Sequence, residues 1–151
     1  MSKNEVKVDL RKFRGTEARK VILENSLTAA QIACFDIAGR AAAIAPHKTG
    51  TLRRSHTVTV GGLPDSDSVY SAAQSGDQIR TYEGQEIGNE PEVWISANTP
   101  YALYQHEGVN FKFTDSGAQA KWLETTFLRD GPKINPFVEA RVAAALRAGG
   151  F

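Results

Sequence analysis

Between residues 16 and 45, apolar side chains recur at Leu23, Leu27, Ala30, Cys34, Ile37, Ala41 and Ile44, in alternating steps of four and three residues. That period places them on one stripe of a helix. Thr16 stands where an N-cap belongs, with Glu17 in the first turn, where the helix dipole favours an acid. Pro46 marks the other end, because the residue before a proline is pushed out of the α region. At 1.5 Å per residue this predicts a helix about 40 Å long. Its other side carries Ile22, Ala29, Ala33, Ala38 and Ala42, so either the chain's own sheet or a partner subunit can cover a second face.

Beyond the helix the period changes. His47–Gly50 reads as a turn, and Thr51–Gly61 as a strand in which His56, Val58 and Val60 alternate with Ser55, Thr57 and Thr59. Asp65–Gly76, rich in Ser, Asp and Gly, reads as loop. A strand over Gln78–Tyr82 and another over Glu92–Ala97 suggest a hairpin within Gly76–Ala97. Val109–Gly117 reads as a second loop. A short helix is expected over Ala118–Phe127, ended by Gly131-Pro132. Asn135-Pro136 then opens a last helix, as N-cap and first helical residue, with Val138, Val142 and Ala145 or Leu146 turned inward. The predicted fold class is α+β: a long N-terminal helix and a C-terminal helix packed on one face of a small antiparallel sheet.

Composition narrows the class. The chain has 151 residues, 41% hydrophobic and 23% charged, values of an ordinary globular domain. Residues 1–15 read as a basic arm, and 16–151 as one domain with an acidic insertion at 62–92. Cys34 is the one cysteine, which excludes an intramolecular disulfide and any zinc site needing two thiolates from one chain. The first 21 residues lack the apolar core of a secretory signal, and no run approaches the roughly 18 apolar residues of a membrane span. The expectation is a soluble protein of a reducing compartment with no membrane partner.

The net charge of +1 conceals blocks of opposite sign. Met1–Val21 has seven Lys and Arg against three acids, and Arg40–Arg54 has four cations and no acid. Gly62–Glu92 has seven acids against Arg80 alone. Surfaces of opposite sign suit a protein that meets different partners on different sides.

Catalytic patterns are missing from the sequence. His106-Glu107 lacks the second histidine of a zinc-binding His-Glu-x-x-His helix, since position 110 is Asn. A metal site built from His47, His56 and His106 requires all three to converge. Cys34 lies on the apolar stripe, the place of an inert buried thiol. No nucleophile elbow, phosphate loop or calcium loop occurs. These observations predict a non-enzymatic protein without cofactor or metal. Lys48, Arg53 and Arg54, with the hydroxyls among them, suit phosphate contact and leave open a sequence-independent DNA-binding module.

Three stretches together resemble one family. Ala45-Pro46-His47-Lys48-Thr49-Gly50-Thr51-Leu52-Arg53-Arg54-Ser55 is similar to the A-P-x-x-T-G-x-L-R-x-S signature of the neck, or tail-completion, proteins of long-tailed phages. These are often labelled minor capsid or head–tail joining proteins. Pro100-Tyr101-Ala102-Leu103-Tyr104-Gln105-His106-Glu107-Gly108 resembles the Pro-Tyr-Ala stretch that follows a strand in that family. Asn135-Pro136-Phe137-Val138-Glu139-Ala140 resembles its C-terminal Pro-Phe helix start, and Lys121-Trp122-Leu123-Glu124 a motif of some members. The similarity spans about residues 16–146; the acidic 62–92 segment has no counterpart in it.

The resemblance implies a virion protein of the neck, present in the host cytoplasm before assembly. Its partners would be copies of itself in a ring, the portal-side connector and tail-tube proteins, and genomic DNA passing non-specifically through the lumen. Head closure and tail terminator are neighbouring positions of the same kind. Pro46, Thr49, Gly50, Leu52, Pro100, Tyr101, Tyr104, Gly108, Pro136 and Phe137 would be structural. A ring of identical subunits needs two different complementary patches on each subunit. Lys48, Arg53 and Arg54 are candidates for one patch or for facing DNA. Asp65, Asp67, Asp77, Glu83 and Glu86 are candidates for the other patch or for the lumen.

Overall fold

The computed structural model describes residues 14–83 and 92–151. Most of the predicted arm, Glu86 and part of the acidic insertion lie outside the described residues. Helix α1 spans Gly15–Ile44. It starts one residue before Thr16, and no side chain caps it; Glu17 pairs with Arg14 instead. Its end is as expected: Ala45 is extended, with ψ 150°, and Pro46 follows. Its buried residues are Ala29, Cys34, Ile37, Ala38, Ala41 and Ala42. Four of the six are alanines, which let neighbours approach from several sides at once. By length and composition alone α1 could cross a membrane, so the sequence criterion applied above was too strict. In the fold α1 is the helix around which the core is built.

The chain then departs from the predicted strand. Thr51–Arg54 forms a single helical turn, α2, and the strand β1 starts only at His56, spanning His56–Val60. The turn exists because Gly50 takes φ +81° and its carbonyl accepts from Arg54 N–H at 3.0 Å. It sends Leu52 into a core cluster with Ala41, Ala45, Ala102 and Trp122.

The Ser-rich stretch predicted as loop is helix α3, Ser66–Gln74. Asp65 caps it by accepting from Asp67 N–H at 3.3 Å, and Val69 and Ala73, one turn apart, bury its inner face. This helix also overturns the predicted hairpin. Strands β2, Arg80–Glu83, and β3, Val93–Ala97, do not pair with each other but flank β1, in the order β2-β1-β3. With α3 as the crossover, β1 and β2 run parallel, whereas β1 and β3 are antiparallel.

Helix α4, Ala102–Glu107, and helix α5, Trp122–Asp130, follow β3. Gly131-Pro132 does end α5, but through a 3₁₀ turn, Gly131–Lys133, that runs directly into α6, Ile134–Ala148. Asn135 is therefore not an N-cap; it and Pro136 lie in the first turn of α6, where a missing N–H costs nothing. Val138, Val142, Ala145 and Leu146 are half-buried, and α6 packs along α1. The fold is α+β, with α1 laid across β1 and β3. A second cluster, of Cys34, Ala38 and Val58 with Val93, Ile95 and Ile134, sits at that contact.

Candidate functional site

The two longest motif stretches, some fifty residues apart in sequence, meet at one corner. Pro46–Gly50 and Leu52 line one side of a cleft of about 350 Å³, and Tyr101, Gln105 and Lys112–Asp115 line the other. Pro46 sets the direction of the loop, and the Thr49 and Thr51 hydroxyls lie 3.1 Å apart within it. Gly50 is glycine for two reasons: its positive φ, and an added Cβ that would collide with the Arg54 guanidinium. Lys48 and Lys112 are exposed around the cleft and give it a cationic rim, with His47 exposed beside them.

Arg53 and Arg54 are held inside the chain. Arg53 Nε donates to the Ala45 carbonyl at 2.9 Å and its guanidinium pairs with Asp115. Arg54 donates to the Ala73 carbonyl at 2.9 Å and the Thr49 carbonyl at 3.3 Å. The two arginines thus tie α2 to the end of α1, to α3 and to the 109–117 loop. Of the three cations singled out in the sequence, Lys48 is the one left exposed.

The Pro100–Gly108 stretch builds an apolar surface next to the cleft. Leu103, Tyr104 and Val109 are 74%, 67% and 65% exposed. The Tyr104 ring meets Phe111 at a tilt, 4.9 Å between centroids, and Phe111 meets Phe113 edge-on at 6.3 Å. Gly108 has negative φ; it is glycine because the Phe111 ring occupies the space of a Cβ. Pro100 is exposed and Tyr101 partly so. Phe137, 41% exposed, lines a separate groove between α1 and α6 with Ile32 and Ile37.

The acids that fall among the described residues stand on and after α3. Asp65 is the α3 cap, and Asp67 stands exposed in that helix's first turn. Asp77 lies in the turn after α3, where its N–H bonds the Ala72 carbonyl at 3.1 Å. Glu83 lies at the end of β2.

Two of the three histidines flank one tryptophan. His56 is fully buried; its Nε2 accepts from Trp122 Nε1 at 2.9 Å. Its Nδ1 lies 3.1 and 3.0 Å from the Leu52 and Arg53 carbonyls, which assigns the proton to Nδ1. Burial lowers its pKa from 6.5 to about 4, against the opposing pull of those carbonyls. His106 meets the other side of Trp122 edge-on at 4.8 Å, and its Nδ1 bonds Glu107 at 2.8 Å. His47 is elsewhere, in the cleft loop. No group of three metal-ligating side chains occurs among the described residues.

Sequence reasoning missed two polar centres. Asn98 is buried at the end of β3 and donates to the Ser55 carbonyl at 2.8 Å, Thr57 Oγ1 at 3.2 Å and Ser96 Oγ at 3.1 Å. Its carbonyl accepts from Ser66 Oγ at 3.2 Å, joining the sheet to α3. Asp130, 4% exposed, is held by Arg129 at 2.7 Å, Lys133 at 2.9 Å and Arg40 at 3.4 Å. Arg129 and Lys133 keep its carboxyl well below the usual carboxylate range. An Arg-Asp pair followed three residues on by Lys was the available signal. No protein-family model, curated protein or solved structure matches this chain.

Proposed function

We propose that this chain is a structural subunit of the neck of a long-tailed phage, forming a ring between head and tail through which DNA passes. The observation that carries the reading is the convergence at the cleft. The signature loop and the Pro-Tyr-Ala stretch, which resemble the family separately, lie against each other around one cavity. Beside it stand Leu103, Tyr104 and Val109, more exposed than apolar side chains of a monomer usually are in a group. A cationic rim next to an apolar patch is what one half of a head-to-tail interface requires.

The reading assigns the cleft and the α4 surface to contacts with a neighbouring copy, with Lys48 as the rim cation. Connector and tail-tube proteins would bind above and below, and DNA would pass the lumen without sequence recognition. A dedicated DNA-binding module is less well supported, because Arg53 and Arg54 are bonded within the chain. Electron microscopy of the concentrated protein tests the proposal. Closed rings with a lumen wide enough for duplex DNA are the expected result, and Lys48→Glu should diminish them. Filaments without closure, or Lys48→Glu rings indistinguishable from wild type, would count against it.

A further inference from the structure

Among the described residues, one edge of β3 pairs with no strand. In its register with β1, Gly61 N–H bonds the Glu92 carbonyl at 2.8 Å and Asn98 N–H bonds the Ser55 carbonyl at 3.2 Å. Residues 92, 94, 96 and 98 therefore turn their backbone groups toward β1. Val93, Ile95 and Ala97 turn theirs away from it, and no strand pairs with them among the described residues.

A groove runs beside that edge. Cys34, Val93, Ile95, Leu123 and Phe127 line a cavity of about 350 Å³. Ala97, Leu103 and Trp122 line another of about 220 Å³. His106 and Leu123 border both, so the two lie side by side along the edge. Within the groove, His106 Nε2 is buried without a hydrogen-bond partner. With Nδ1 engaged by Glu107, the neutral His106 ring offers Nε2 as an acceptor for an N–H. An open strand edge, an apolar trough and an unmet acceptor together fit an added β-strand.

The chain contains a segment of that chemistry. Val6, Val8 and Leu10 alternate with Lys7, Asp9 and Arg11, the period of a strand with one apolar face. Lys7, Arg11 and Lys12 are opposite in charge to Glu124, exposed in the groove lining, and to Glu92, exposed just before β3. The same copy cannot supply the strand. From Arg14, a fully extended chain carries Leu10 about 14 Å and Val6 about 29 Å. Along α1, Cys34, where β3 packs, lies about 28 Å from Gly15, and Ala41 about 39 Å. At full stretch only Val6 reaches the near end of β3, and Leu10 falls far short.

We propose that residues 6–10 of one copy add as a strand to the outer edge of β3 in a second copy, with Val6, Val8 and Leu10 over the groove and a backbone N–H on His106 Nε2. This goes beyond the neck reading and holds without it, because arm donation works in any homo-oligomer.

The test compares the full chain with one lacking residues 2–13, and adds a synthetic peptide of residues 3–13 to the shortened chain. The shortened chain keeps the fold but associates at least about tenfold more weakly. The peptide binds it saturably, slows amide exchange at Val93, Ile95 and Ala97 but not at Trp94 and Ser96, and binds less well to His106→Ala. A Val8→Pro peptide does not bind. Unchanged association of the shortened chain would overturn the proposal. So would a peptide that leaves those three amides unaffected, or edge amides already protected in the shortened chain.

Discussion

Trp122 Nε1 donates a hydrogen bond to His56 Nε2 at 2.9 Å in the centre of the fold, joining α5 to β1 across 66 residues of sequence. Both side chains are at most 1% exposed. The bond fixes the His56 tautomer, which in turn satisfies two carbonyls of α2. Trp122→Phe leaves His56 Nε2 without a donor and opens space beneath α4. It is expected to cost about 2–4 kcal/mol of stability by urea denaturation. A loss under 1 kcal/mol would mean that the pair is incidental.

The same histidine makes the fold sensitive to acid. Unfolded, His56 takes up a proton near pH 6.5; folded, it resists until about pH 4. Between those values the unfolded chain binds more protons, so stability falls as the pH falls, by up to about 3 kcal/mol in all. The groups facing the ring are Trp122, His106 and the Leu52 and Arg53 carbonyls. Urea midpoints measured at pH 7.5, 5.5 and 4 should decline in the wild type and decline less in His56→Leu.

Asn98 closes the strand that the sequence made plainest. Asn98→Ala leaves the Ser55 carbonyl and Thr57 Oγ1 without that donor, at an expected cost of about 2–4 kcal/mol. Amide exchange should quicken first at β3 and at the start of α3, where Ser66 bonds the same side chain.

The arginines and the lysine of the signature loop separate stability from assembly. Arg53→Ala and Arg54→Ala each remove bonds to carbonyls of other elements and should lower stability by about 1–2 kcal/mol. Lys48→Ala should leave stability within about 0.5 kcal/mol. If Lys48→Ala destabilises as much as Arg53→Ala, the division of roles is wrong.

The long helix, its proline stop and the α+β class were legible because apolar period and Pro46 act locally. The 66–74 helix was not. Its composition is that of a loop, and its signal was only an Asp65 cap with Val69 and Ala73 one turn apart. That single omission produced the second error, since without a crossover helix the next strand looks like half of a hairpin. α2 was hidden in the same way: Thr51–Arg54 runs straight into the alternating pattern of β1, and it is Gly50's left-handed turn that winds it. The signature loop and the Pro-Tyr stretch were visible separately; their meeting at one cleft depends on β1 and β3 lying side by side, which no local pattern encodes. The β3 edge follows from the sheet order, and the unmet His106 nitrogen from the packing of α4 against Trp122.

Native mass determination of the full chain across a wide concentration range, at low and moderate salt, tests the ring most directly. The account predicts one closed homo-oligomer that appears as concentration rises and is weakened by salt or by Lys48→Glu. A monomer or a two-fold dimer at every concentration and salt would contradict it.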